Sequence, residues 1–204
     1  MMNAQDCLNM LREIKDVAFA TVDAKGKPQV RMIDVMLVEE EKLYFCTARG
    51  KAFYKELVQS GNVAVTGMNQ RYQMIRLSGP ARRVEDQKEK IDRIFEANPS
   101  MIDVYPGESR YILEAFRIEN GELEFFDLGQ PHVYRKTFLF GEHKNTVKGY
   151  YITDKCTGCG VCRDICPQQS ILGNTPYEIV QEHCLHCGLC YESCPAEAVA
   201  GREL

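Results

Sequence analysis

Two stretches, "CTGCGVCRDICP" at 156–167 and "CLHCGLCYESCP" at 184–195, place four cysteines each at intervals of two, two and three residues and then a proline. The first supplies Cys156, Cys159, Cys162 and Cys166, and the second supplies Cys184, Cys187, Cys190 and Cys194. The period is 28 residues, which predicts two similar halves related by a pseudo-twofold axis. The first residues carry no basic segment followed by an apolar run of signal-peptide length, so the expected compartment is the cytoplasm. Thiols stay reduced there, and eight clustered cysteines argue for metal rather than for disulfides.

The run C-x2-C-x2-C-x3-C-P is that of bacterial two-cluster ferredoxins, and residues 150–199 resemble them. The resemblance implies two [4Fe-4S] clusters, with the fourth cysteine of each run serving the other cluster. One would be held by Cys156, Cys159, Cys162 and Cys194, and the other by Cys184, Cys187, Cys190 and Cys166. Gly158, Gly160 and Gly188 would let the loops fold close to the clusters and aim amides at their sulfurs. A segment this short buries little apolar surface, so the clusters are expected to act as its core. The alternative is a pair of structural zinc sites, although zinc ribbons use two C-x2-C pairs and have no need of a third cysteine.

A chain of 204 residues has room for one medium domain and a small one. Only two of the ten cysteines, Cys7 and Cys46, precede the runs, and both read as ordinary thiols. Leu8, Leu11 and Ile14 lie at helical spacing. Strand patterns follow in "VAFATVD", "QVRMIDVMLV" and "LYFCTA", then a helix in "GKAFYKELVQS" and strands in "NVAVTGM" and "YQMIRLSGPARRV", with a bulge or bend expected at Gly79-Pro80. A second helix, "EDQKEKIDRIFEAN", stops before Pro99, and "RYILEAFRIE" with "GELEFFDL" predicts a hairpin across Asn120-Gly121. Six or seven strands with two or three helices suit a closed antiparallel barrel with helices outside it. The fold class is therefore mainly β with α (α+β), with a small C-terminal ferredoxin-like domain. The expected divisions are a barrel domain at 1–128, a linker at 129–147 and the cysteine domain at 148–204.

Within the barrel, Thr47, Arg49 and Lys51 surround the start of a predicted helix, whose free amides and partial positive charge suit a phosphate. The plainer reading is that the two cations solvate a helix end. Arg31 interrupts an apolar strand directly before Met32 and Ile33, where a charge is costly unless it meets an anion or faces outward. The order of an Arg-Met-Ile strand, a Tyr-Phe-Cys-Thr strand and a Gly-Lys-Ala helix resembles the flavin-binding split barrel of the pyridoxamine 5'-phosphate oxidase-like family, over residues 4–128. That resemblance implies an antiparallel split β-barrel with peripheral helices, usually a homodimer with FMN at the subunit interface. It implies the FMN phosphate near Arg31, Thr47 and Lys51, with Arg49 beside them, and the ring along the backbone of Met32 and Ile33. Gln73 or Arg76 would reach the flavin. The family oxidase's C-terminal substrate-binding segment has no counterpart, which puts vitamin B6 oxidation in doubt. Some relatives bind haem or a deazaflavin, but His132, His143, His183 and His186 all fall outside the predicted barrel strands.

The net charge is −4, and from Lys148 onward four Lys or Arg face seven Asp or Glu, a net of −3. An acidic tail argues against nucleic acid as a partner, and no stretch approaches a membrane span. The only Gly-x-Gly, at Gly158 and Gly160, belongs to a cysteine loop, so no dinucleotide fingerprint is present. A flavin takes electrons singly or in pairs while each cluster passes one, and their fusion suggests a converter between the two regimes. The expected function is an oxidoreductase that passes electrons from a redox protein through the clusters to FMN and on to a small acceptor such as a nitroaromatic, a quinone or a free flavin. The alternative is a non-catalytic electron carrier or redox sensor acting on a protein partner. No catalytic residue can be named from the sequence.

Overall fold

The computed structural model describes residues 2–142 and 148–202. The chain divides into two compact units: Met1–Gln70, Met74–Phe125 and Thr137–His143 form one, and Arg71–Gln73, Phe126–Lys136 and Lys144–Leu204 the other. Helix α1 (Ala4–Ile14) opens the first unit and buries Ala4, Cys7, Leu8 and Leu11. Asn3 starts it with a reciprocal cap. The Asp6 amide donates to Asn3 Oδ1 and the Asn3 amide to Asp6 Oδ2, both at 2.9 Å, which satisfies donors that the first turn leaves open.

Next come β1 (Asp16–Val22), β2 (Pro28–Asp34), β3 (Leu37–Glu39), β4 (Lys42–Ala48), α2 (Ala52–Gln59), β5 (Asn62–Met68) and β6 (Gln73–Arg83). They are followed by α3 (Gln87–Ala97), α4 (Met101–Val104), a 3-10 turn at Gly107–Ile112, β7 (Leu113–Ile118), β8 (Gly121–Asp127) and β9 (Tyr134–Phe140). The nine strands make one sheet in the order β2-β1-β5-β6-β7-β4-β3, with β8 paired to β6 and β9. β2 and β3 stand at opposite ends of that order, yet only Val35 and Met36 separate them in the chain. The sheet must therefore curl until its two ends approach. The result is a curled antiparallel half-barrel, the split barrel that the family resemblance implied, where the strand count alone suited a closed one.

Phe19, Phe45, Phe53 and Phe116 fill the interior, with ring centroids 4.7 Å apart for Phe19–Phe45 and 5.8 Å for both Phe45–Phe53 and Phe45–Phe116. A second apolar cluster lies beneath α3, where Ile91, Ile94 and Phe95 meet Met36, Leu37 and Tyr44.

The sequence underestimates the strands in two places. The apolar run 29–38 breaks into β2 and β3, and β9 lies within the stretch expected to be a linker. The hairpin expected across Asn120-Gly121 does not form, because β7 and β8 are not paired; β7 pairs with the end of β6 and with β4, and β8 with β6 and β9. Gly79-Pro80 is likewise no bulge. β6 keeps unbroken register with β5 through Pro80 and takes β7 as partner from Ala81 onward. What Gly79 permits is a close crossing. A Cβ there would stand 2.2 Å from the Asn120 carbonyl oxygen, and one on Gly121 would stand 2.3 Å from the Ser78 carbonyl oxygen.

The second unit carries its symmetry in its element positions. Strand β10 (Gly149–Ile152) pairs with β13 (Val199–Arg202), and β11 (Ile171–Leu172) with β12 (Glu178–Ile179). Helices α5 (Val161–Ile165) and α6 (Leu189–Glu192) start 28 residues apart, as do β11 and β13. Each two-stranded ribbon takes the first strand of one half and the last strand of the other.

Replacing Gly79 with Ala forces a side chain against backbone that cannot yield locally. Gly79→Ala should destabilise the protein by about 1–3 kcal/mol in a denaturant melt, as overpacking does. Gly50→Ala, where a Cβ meets nothing within 4 Å, is the control and should melt near the parent.

Candidate functional site

The eight run cysteines line two cavities, four in each. Cys156, Cys159, Cys162 and Cys194 line one, together with Thr157, Gly160 and Tyr177. Cys184, Cys187, Cys190 and Cys166 line the other, with Ser170, Tyr150 and Gly188. In both, the fourth cysteine comes from the opposite run. Gly160 and Gly188 turn the loops into α5 and α6 at φ of 83° and 82°, left-handed values that a side chain would resist.

Backbone amides point at the sulfurs. Ser170 N–H donates to Cys166 Sγ at 3.4 Å, Ala198 N–H to Cys194 Sγ at 3.3 Å and His186 N–H to Cys184 Sγ at 3.4 Å. The Ser170 hydroxyl lies 3.3 Å from Cys166 Sγ as well. Burial pushes the thiols of Cys162 and Cys184 up, and that of Cys190 up to about 11. Burial also acts upward on Cys166, but the Ser170 hydroxyl and neighbouring amides outweigh it, and this thiol is held below its usual value. Loading either cavity must displace protons, and a higher pH favours it.

Among the described residues no three His, Cys, Asp or Glu groups converge closely enough to hold a single metal ion. A cubane binds each of four thiolates at a different iron, and each cavity offers four cysteines. The donor set, the cavities and the amides all fit a [4Fe-4S] cluster. By contrast Cys7 and Cys46, both pushed up to about 12 by burial, are inert thiols.

In the first unit, β2 alternates Val30 and Met32, 71% and 63% exposed, with a half-buried Arg31. Arg31 therefore faces inward. Its guanidinium donates to Thr21 Oγ1 and, at 2.7 Å, to Glu56 Oε2 on α2, and lies 4.6 Å from the Phe53 ring centroid. Thr21 also donates to Glu56. The anion that Arg31 meets is thus a buried carboxylate of its own chain, one the sequence reading missed because 25 residues separate the pair. Arg49 is exposed, donating to the Tyr111 carbonyl at 2.7 Å and lying 3.7 Å from Glu114. The bond from Arg83 holds the buried Glu114 carboxyl below its usual range, against the cost of burial.

Thr47 keeps a buried hydroxyl without a hydrogen-bond partner, and Lys51, exposed, precedes an α2 N-terminus that no side chain caps. An orphaned hydroxyl and open helix amides suit an anionic group. Ile33 is half-buried on β2. Gln73 donates to Asp127 at 3.1 Å within the second unit, and Arg76 pairs with Glu124 at 3.1 Å. His132 and His183 lie with their ring centroids 6.3 Å apart in the second unit, His186 lies on a cysteine loop, and His143 falls outside the described residues.

A family model described as pyridoxamine 5'-phosphate oxidase matches residues 5–116. The chain belongs to the pyridoxamine 5'-phosphate oxidase-like family. A second model, a 4Fe-4S dicluster domain, matches residues 148–196, so an FMN-binding split barrel of this family is fused to a dicluster domain. Among solved structures, a NimC/NimA family protein from Clostridium acetobutylicum is 25% identical, with a TM-score of 0.57 over 68% of this chain and 92% of its own. A heme binding protein from Mycobacterium smegmatis has a TM-score of 0.51 at 12% identity, over 67% of this chain and 59% of its own. A Clostridium acetobutylicum protein related to general stress protein 26, of the pyridoxinephosphate oxidase family, has a TM-score of 0.51 at 13% identity, over 66% and 95%. The last two likenesses show the fold alone. A search of curated proteins returned no match. Membership in the pyridoxamine 5'-phosphate oxidase-like family supports flavin-associated, oxidoreductase-type chemistry with a linked iron–sulfur domain.

If the α2 N-terminus seats the FMN phosphate, Lys51→Ala should weaken FMN binding about tenfold, since a charge-assisted contact contributes roughly 1.5–3 kcal/mol. Fluorescence titration of the flavin measures it, and an unchanged affinity would remove Lys51 from the site.

Proposed function

We propose that this chain is an FMN- and iron–sulfur-dependent oxidoreductase that takes single electrons from a donor protein at its cysteine unit and delivers them to a small acceptor at the barrel. The observation that carries the reading is the pair of complete four-cysteine cavities in a chain whose other unit is a flavin-family split barrel. Bound FMN supplies a centre able to exchange electrons one or two at a time. Thr47, Arg49 and Lys51 would hold its phosphate. Arg31, fixed by Thr21 and Glu56, would add positive charge from β2, and the Met32–Ile33 backbone would run along the ring. Asp154, Asp164, Glu178 and Glu192 are all exposed and would receive a basic donor protein, at rates that fall as salt screens the attraction.

A second copy of the chain completes this reading. Val22, Val30, Met32 and Met68, on the adjacent strands β1, β2 and β5, are 48–71% exposed, an apolar sheet face that a homodimer would cover. Light scattering of the FMN-loaded protein should give twice the mass of the chain, and a fully loaded monomer would contradict the dimer.

Electron entry is tested by replacing Cys159 and Cys187 with Ser together. Iron content should collapse and donor-driven flavin reduction with it, while FMN binding and reduction of the flavin by dithionite persist. Flavin reduction by the donor at the parent rate would overturn the reading. Electron transfer from the parent protein to proteins alone, with every small acceptor inert, would make it a carrier or sensor instead.

A further inference from the structure

The 28-residue offset makes each half of the second unit an internal control for the other. Ser170 and Ala198 occupy equivalent places, both buried, and each donates its amide to the fourth cysteine of its run, at 3.4 and 3.3 Å. Only Ser170 adds a hydroxyl, 3.3 Å from Cys166 Sγ; alanine has none to offer. A second difference falls on the same cavity. Arg135, on β9 and within the second unit, donates to the Cys184 carbonyl at 3.4 Å, which brings a guanidinium beside that set. Contacts from the same segment hold it there. The Val133 amide donates to Gln168 Oε1 at 3.0 Å, His183 Nδ1 lies 2.9 Å from the Val133 carbonyl, and the Arg135 guanidinium stands 5.6 Å from the Phe126 ring centroid.

We propose that Ser170 and Arg135 make the two iron–sulfur sites unequal, holding the one built from Cys166, Cys184, Cys187 and Cys190 at the higher reduction potential. The inference rests on the two-cluster reading above and adds a direction to it. An electron arriving at a thiolate-ligated site adds one negative charge. Hydrogen bonds to the sulfurs and a nearby cation stabilise the reduced state more than the oxidised one. A low-potential one-electron donor protein gives up one electron, and no bond forms or breaks. That electron runs downhill from the Cys156 set to the Cys184 set, which is the site of exit.

The experiment is an anaerobic titration of the full-length holoprotein with dithionite and mediators, followed by EPR, after iron and sulfide have been counted. The parent should show two separate one-electron steps. Ser170→Ala should lower the upper step by about tenfold in the reduction equilibrium, 59 mV for one electron, and leave the lower step in place. Arg135→Gln should move the same step in the same direction. Ala198→Ser places the hydroxyl in the other half and should raise the lower step, narrowing the gap. A single coincident step from a parent that carries about eight irons overturns the inference while the two-cluster reading stands, and so does a Ser170→Ala variant that moves the lower step or neither. A parent that reconstitutes with far less iron sinks the two-cluster reading, and this inference with it.

Discussion

The exchange of one cysteine between the runs is the constraint on which the second unit depends. Cys166 leaves its own loop to line the cavity of Cys184, Cys187 and Cys190, and Cys194 does the reverse. The two-stranded ribbons repeat the exchange in backbone, each drawing one strand from either half. Ile171, Ile179 and Val199 are the buried aliphatic residues of its small core, among cysteines. So small an apolar set offsets little of the chain entropy lost on folding. Each half thus lends the other a cysteine and a strand.

The barrel solves its own problem by different means. It has an aromatic interior, and part of its interior surface carries charge: Glu56 on α2 with Arg31 and Thr21, and Glu114 with Arg83, Tyr54 and Arg49. Removing one member of such a set strands a partly buried charge, so these networks specify an arrangement more than they add stability. They also keep Arg31 and Arg49 close to α2.

How much was legible follows from the range of each signal. The cysteine runs were readable because their ligand pattern is local. Helices α1, α2 and α3 were readable from apolar spacing within one or two turns. The β7–β8 connection was not, since Asn120-Gly121 carries the local mark of a tight turn, and only the crossing at Gly79 shows why the chain takes another course. Arg31 was rightly singled out as a charge in need of an anion, but Glu56 lies on a different element and nothing local joins the two. Ser170 could have been found. Aligning the halves at 28 residues sets it opposite Ala198, and the one polar difference at that buried place was visible in the sequence.

Because both cavities draw on both runs, neither can close until translation has passed Cys190, by which point the whole matched barrel segment, residues 5–116, has long been made. Domains fold as units in the order of synthesis. Synthesis therefore runs one way: the matched barrel segment is whole before either four-cysteine cavity can be completed. Until translation reaches the second run, Cys156, Cys159 and Cys162 wait without the cysteine that completes their set.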